Sequence, residues 1–271
     1  MSDTSRDWDA TKYHAVSGPQ FQWGQAVLAR LDGLGLRGDE TIVDAGCGTG
    51  RLTAELLDRW TNARVVAVDG SEQMLDVARR HLERFGDRVS YVCADLQEWH
   101  DDACADVVFS TATFHWIKDH PRLFANVHRC LRPHGWLVAQ CGGGPNLAVQ
   151  HARCDDLRRS ERFAPFFVGW IEPWEFASAE TARARLASAG FARIETSVEP
   201  ADVLFSSPDP FREFATTVIL RPYLARLADD ARREFAERMT DMASRDNPPF
   251  RLDYWRLNLL AEKPAAEKPA G

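Results

Sequence analysis

Nowhere does the chain approach the ~20 consecutive apolar residues that a membrane-spanning helix needs. No membrane partner is therefore expected. It also lacks a basic surplus: 33 Lys and Arg stand against 40 Asp and Glu, a formal charge of −7. A broad nucleic-acid surface needs a basic stripe to neutralise phosphates, so no nucleic-acid partner is expected either. The six cysteines (Cys47, Cys93, Cys104, Cys130, Cys141 and Cys154) contain no C-x-x-C pair, and no histidine lies at zinc-finger spacing from a pair of them. We expect no metal, and we read all six as reduced and mostly structural. The opening MSDTSRDWDA has no basic stretch followed by an apolar run, so no export signal is read and a cytoplasmic protein is expected. Against these absences, 45% of the 271 residues are hydrophobic, enough for a packed core and for one to two domains.

The first half alternates strand and helix patterns. TIVDAG (41–46), RVVAVDG (64–70), RVSYVCAD (88–95), ADVVFSTA (105–112) and WLVAQCGGG (136–144) read as strands. Helices are expected at 51–60, 71–85 and 121–133, after a tight loop at 17–20 and a helical segment from Phe21 to Leu31. Strands that are apolar throughout and separated by helices predict parallel strands buried on both faces. Short right-handed crossovers then give a doubly wound sheet. The pattern loosens after residue 145. Residues 147–178 and 208–246 look helical, 175–191 reads as a helix, and 192–200 and 251–263 read as strands. The expected organisation is an N-terminal lid and first helix (1–40), a cofactor-binding half of the sheet (41–145), the remaining sheet elements with inserted helices (146–263) and a disordered tail (264–271).

Ligands on such sheets bind beyond the carboxyl ends of the strands. There the chain has Asp44-Ala45-Gly46-Cys47-Gly48-Thr49-Gly50 between a strand and a helix. Glycine lets the backbone turn sharply and lets a ligand approach it closely. Asp69 and Gly70 end the next strand, where a carboxylate is placed to accept both hydroxyls of a ribose. Asp95 follows the third strand, within reach of an adenine amino group. The spacing is G-x-G-x-G and not the G-x-G-x-x-G of dinucleotide enzymes. Asp44 would repel a pyrophosphate and attract an ammonium. S-adenosylmethionine has ribose, adenine, an amino group and a sulfonium but no phosphate, and suits this set better than NAD. An NAD-linked oxidoreductase and a non-enzymatic adenosylmethionine-binding protein are the remaining classes.

As a set, strand–D-A-G-C-G-T-G–helix, V-D-G-S-E-Q-M-L, C-A-D-L and F-S-T-A-T-F-H-W-I resemble the ordered motifs of class I S-adenosylmethionine-dependent methyltransferases over residues 41–142. A looser resemblance over nearly the whole chain is to the trans-aconitate methyltransferase group, which methylates small carboxylic acids. It is carried by Trp8, Asp9 and Tyr13, by F-H-W, by L-R-P-Y-L at 220–224 (which holds Arg221 and Tyr223) and by the final strand. The resemblance implies a Rossmann-like, doubly wound, seven-stranded and mostly parallel sheet, its last strand antiparallel, with a helical cap. It implies that Gly46, Gly48 and Gly50 shape the turn under the methionine and ribose, with Tyr13 beside the cofactor. Asp44 would orient the amino group, directly or through water. Asp69 would take the ribose hydroxyls, Met74 would pack on adenine, Asp95 and Leu96 would meet its edge, and Ser110 would face the sulfonium. Tyr13-x6-Gln20 and Trp116 look like the positions at which juvenile-hormone acid methyltransferases hold the acceptor carboxylate.

Plainer roles exist for each. Met74 fits a helix core, Ser110 fits a strand-end hydrogen bond, and His115 fits a structural histidine as well as a general base. Phe163, Phe166, Phe167, Trp170, Trp174 and Phe176 read as a satellite core with one or two members facing an acceptor pocket. Arg221 sits between apolar residues and Pro222-Tyr223, where a guanidinium can grip a carboxylate. The expected activity is methyl transfer to a small molecule. The acceptor is a small organic acid, or else a nitrogen, carbon or phenol nucleophile with His115 as base. The oligomeric state is left open.

Overall fold

The computed structural model describes residue 12 and residues 16–265. Seven strands make the main sheet: β1 (Thr41–Ala45), β2 (Arg64–Asp69), β3 (Val89–Cys93), β4 (Ala105–Thr111), β5 (Leu131–Gly142), β6 (Ala192–Pro200) and β9 (Trp255–Glu262). Their order is β3-β2-β1-β4-β5-β9-β6. The first five run parallel, and β9 runs antiparallel to both β5 and β6. The expected sheet and its reversed last strand are thus present. Two short strands, β7 (Val203–Leu204) and β8 (Arg251–Leu252), pair in a separate ribbon.

Alternation along β1 explains the layering. Ile42 packs on one face with Val27, Leu28, Leu56, Leu57 and Leu82. Val43 and Ala45 pack on the other with Leu123, Phe124, Val127 and Leu186. Successive side chains of a strand point to opposite faces, so a run apolar at every position is buried on both sides. Helices cover both faces. α1 (Gly18–Ala29), α2 (Arg51–Arg59) and α3 (Glu72–Leu82) lie on the first, α4 (His120–Cys130) and α6 (Ala179–Ser188) on the second. Between them in sequence comes α5 (Ala148–Arg159). Three starts are capped as their sequences suggest: the Ser71 hydroxyl accepts from the Met74 amide at 3.4 Å, Asp119 from Arg122 at 3.0 Å and Ser178 from Thr181 at 3.1 Å.

A third cluster joins α5 to α7 (Pro208–Phe214), α8 (Arg221–Leu224) and α9 (Asp229–Ser244) through Leu157, Phe163, Phe211, Phe214, Tyr223 and Phe235.

Several boundaries differ from the sequence reading. The segment 17–20 is the first turn of α1, where Pro19 loses nothing because its missing N–H would have no helical partner. β5 begins at Leu131, before Pro133, and tolerates the proline because the pairing with β4 is bulged there. α6 starts at Ala179, so the aromatic stretch 168–178 has no helix. The final strand is broken at Asp253-Tyr254 into β8 and β9. Among the described residues no helix is long and apolar enough to cross a membrane.

Candidate functional site

The carboxyl ends of β1, β2 and β4 open on a cavity of about 500 Å³. The glycine loop forms its floor. Gly46, Gly48 and Gly50 all have positive φ (86°, 55° and 79°), a conformation most side chains resist. A Cβ on Gly46 would lie 2.0 Å from Thr113 Oγ1, and one on Gly50 would lie 2.9 Å from Leu82. Both glycines therefore admit neighbouring protein. A Cβ on Gly48 would meet no atom within 4 Å and would stand at the cavity wall. That is the cradle expected of a loop under a ligand.

Asp69 organises the loop. Its carboxylate accepts from the Gly48 amide and from the Ser71 amide, each at 2.9 Å. Burial pushes this carboxyl above its ordinary value against the pull of the Ser71, Gly48 and Gly70 amides. Gly70, Met74, Asp95 and Leu96 continue the same wall. Asp95 accepts from the Gln97 amide at 2.9 Å, which fixes its carboxylate at the rim. Met74 is both buried helix core and cavity lining.

Four predicted residues stand elsewhere. Asp44 is 2% exposed, lies behind the wall and accepts from Thr53 Oγ1 at 2.6 Å. Burial pushes its carboxyl up to about 7, opposed by that hydrogen bond. Gly50 packs on α3 and does not line the cavity. Ser110 is 1% exposed and donates to the Ala45 carbonyl at 2.6 Å, tying β4 to the end of β1. Tyr223 is fully buried among Trp170, Trp174 and Phe235, with its hydroxyl 3.3 Å from His151 Nδ1. Tyr13 lies outside the described residues, as do Trp8 and Asp9.

The cavity also gathers Gln20, His115, Trp116 and Arg221 from three separate stretches of sequence. His115 Nδ1 accepts from the Gly142 amide at 3.3 Å. Its pKa is held well below the ordinary value by burial first, and then by Arg256, His120 and His151. With Nδ1 engaged as acceptor, the ring is neutral and its proton sits on Nε2, which makes His115 a donor. Trp174, Phe176 and Tyr254 supply aromatic wall. Gln20 Oε1 and His151 Nε2 are buried without a hydrogen-bond partner among the described residues. Buried polar atoms without partners are costly, and here both belong to residues lining a cavity.

The sequence reading missed His151, Asn146, Tyr254 and Arg256. Arg256 had one signal, a cation set between Trp255 and Leu257 in a mostly apolar strand. His151 lies in the polar stretch HARCDD and had none.

The sheet order, the reversed strand and the glycine loop together define a Rossmann-like protein of the methyltransferase type. The methyltransferase-domain family profile matches residues 42–135. A trans-aconitate 2-methyltransferase of Azoarcus sp. is 38% identical over 133 residues, which cover 49% of this chain and 50% of that one. One from Mycolicibacterium gilvum is 32% identical over 217 residues, covering 77% of this chain and 78% of that one. The first three curated relatives are matched over about half of their length. A phosphoethanolamine N-methyltransferase of Haemonchus contortus, solved with phosphomonomethylethanolamine and S-adenosylhomocysteine, superposes with a TM-score of 0.60 at 22% identity, over 94% of this chain and 57% of that one. That likeness concerns the fold alone. The chain belongs to the class I S-adenosylmethionine-dependent methyltransferases, and within them to the trans-aconitate methyltransferase group.

Proposed function

We propose that the protein transfers the methyl group of S-adenosylmethionine to a carboxylate of a small organic acid. The observation that carries this reading is the chemistry of the acceptor end. It presents N–H donors and cations, and the candidate base read from the sequence, His115, is turned into a donor by the Gly142 amide. A carboxylate nucleophile needs no base.

The cavity residues fit the cofactor: Asp69 for the ribose hydroxyls, Met74 with Asp95 and Leu96 for adenine, and Gly46 and Gly48 beneath the methionine. When bound, the sulfonium supplies an activated methyl, so the C–O bond forms as the S–C bond breaks and the two charges cancel with no proton to move. The protein's part is alignment and water exclusion. Gln20 and Trp116 orient the reacting carboxylate through neutral N–H donors, which leave its oxygen nucleophilic. Arg221 holds a second acid group, because a bidentate ion pair on the attacking oxygen would blunt it. Trp174 and Phe176 shield the site. We infer that the cofactor is held by residues 41–145 and the acceptor by Gln20, Trp116 and residues 146–263.

The product's bond type tests this. Incubation with labelled S-adenosylmethionine and an acid panel that includes trans-aconitate should yield an alkali-labile methyl ester. An alkali-stable N-, C- or ether-linked methyl overturns the proposal and returns His115 to the role of base.

A further inference from the structure

The reading above leaves one buried cation of the cavity wall unused. Arg256 stands on β9 opposite Gly142 of β5, is 4% exposed and lines the cavity. Its Nε donates to Gln140 Oε1 at 3.4 Å, Gln140 Nε2 donates to Asn258 Oδ1 at 2.9 Å, and Asn258 Nδ2 donates to Ser197 Oγ at 3.2 Å. The chain of bonds crosses β5, β9 and β6 and ends where Ser197 donates to the exposed Glu199 at 2.7 Å. The guanidinium also lies 4.6 Å from the centre of the Trp23 ring. A cation taken out of water is costly to keep. The Trp23 face and the Gln140 amide hold it in the wall. What the arrangement does achieve is position. Three strands hold the guanidinium at a fixed place on the sheet side of the cavity, beside the Gly142 amide that fixes His115. Arg221, by contrast, enters from the helical layer.

We propose that Arg256 is a specificity-determining residue that grips a non-reacting carboxylate of the acceptor from the sheet side, and so decides which carboxylate faces the methyl. The assignment rests on the acid reading above. Two cations that reach the cavity from different layers, one helical and one from the sheet, favour the one orientation of a polyacid in which each meets a carboxylate and a remaining carboxylate meets the neutral donors Gln20 and Trp116. Gln140 is a positioning residue in this scheme, since it acts through Arg256.

Three acids on one trans-alkene frame test it: trans-aconitate, fumarate and crotonate, with three, two and one carboxylates. Their affinities for the protein saturated with S-adenosylhomocysteine are measured by calorimetry, and the ester regioisomers formed from trans-aconitate are resolved by NMR. Wild type should bind more tightly with each added carboxylate. Arg256→Gln should weaken trans-aconitate by roughly ten- to a hundredfold, the loss of one charged hydrogen-bonding pair, and crotonate by much less. It should also turn a single ester regioisomer into a mixture. Arg256→Lys should fall between. Gln140→Glu keeps Arg256 but neutralises it from behind, and should flatten the series in the same way if the glutamine variant folds poorly. Equal weakening across all three acids, or a wild-type series with no gradation, overturns the assignment. Absence of any ester from wild type overturns the acid reading of the site, whereas Arg256 is judged by the affinity series alone.

Discussion

Two aspartates at the ends of adjacent strands have been given opposite surroundings. Asp69 faces the cavity and is surrounded by amide donors. Asp44 lies one strand away, sealed under the loop with a single hydroxyl for company. Its carboxyl rises from an ordinary 3.8 to about 7 because burial outweighs the Thr53 hydrogen bond. Between these two values the folded chain binds more protons at this site than the unfolded chain does. Stability from this group is therefore full below pH 3.8 and is lost as the pH rises through about 7. The difference is on the order of 4 kcal/mol. Asp44→Asn keeps an acceptor for Thr53 and removes the charge. Urea unfolding of the ligand-free protein from pH 5 to pH 8 should show wild type losing stability relative to the Asn variant, which then unfolds at higher urea at pH 8. Parallel profiles for the two proteins would rule out a buried, neutralised Asp44.

The strand–loop–helix unit from Thr41 to Arg59 is the part of the site most legible in the sequence, but its glycines serve two different ends. Gly46 and Gly48 both border the cavity, but Gly46 also makes room for Thr113, whereas a Cβ on Gly48 would meet no protein atom. Gly46→Ala forces a Cβ into a side chain that itself donates to the Thr111 carbonyl at 2.9 Å, on top of the positive-φ penalty. Its cost should reach about 2–4 kcal/mol and appear as a lowered melting temperature. Gly48→Ala meets no protein atom, so its cost is the backbone strain of about 1 kcal/mol, and its main effect should be weaker binding of S-adenosylmethionine. Equal melting temperatures for the two variants would refute the distinction. Spacing could not reveal it, because both glycines obey the same motif. The same holds for Ser110 and Tyr223, whose neighbours in sequence do line the cavity. A strand end and a short helix each turn one residue inward and the next away, and only packing decides which. Arg256 shows the reverse failure: a cation between Trp255 and Leu257 was visible, but the wall it joins is assembled from β5, β9 and α1.

At the scale of the whole molecule, the acceptor wall depends on a junction between two distant stretches of chain. After β5, the segment 146–150 is stitched to 251–255. The Leu147 amide donates to the Asp253 carbonyl at 2.9 Å, the Val149 amide to the Asp253 carboxylate at 3.0 Å, and the Trp255 amide to Asn146 Oδ1 at 3.0 Å. These bonds seat the start of α5, and with it His151, against the beginning of β9, and with it Arg256. Sequence periodicity had read 251–263 as one strand; the break at Asp253 exists because that residue holds the start of α5 instead of a neighbouring strand. Asp253 thus acts from outside the helix as its N-terminal acceptor, a role worth about 1 kcal/mol. Asp253→Ala should lower stability by about that amount. It should raise KM for the acceptor several-fold, because His151 and Arg256 lose their common anchor. Affinity for S-adenosylmethionine should stay near wild type, since Asp69, Gly48 and Asp95 hang from the other half of the sheet. Asp253→Asn retains an acceptor oxygen and should restore most of the acceptor KM. Matched losses in cofactor and acceptor affinity would show instead that the two ends of the cavity are one mechanical unit.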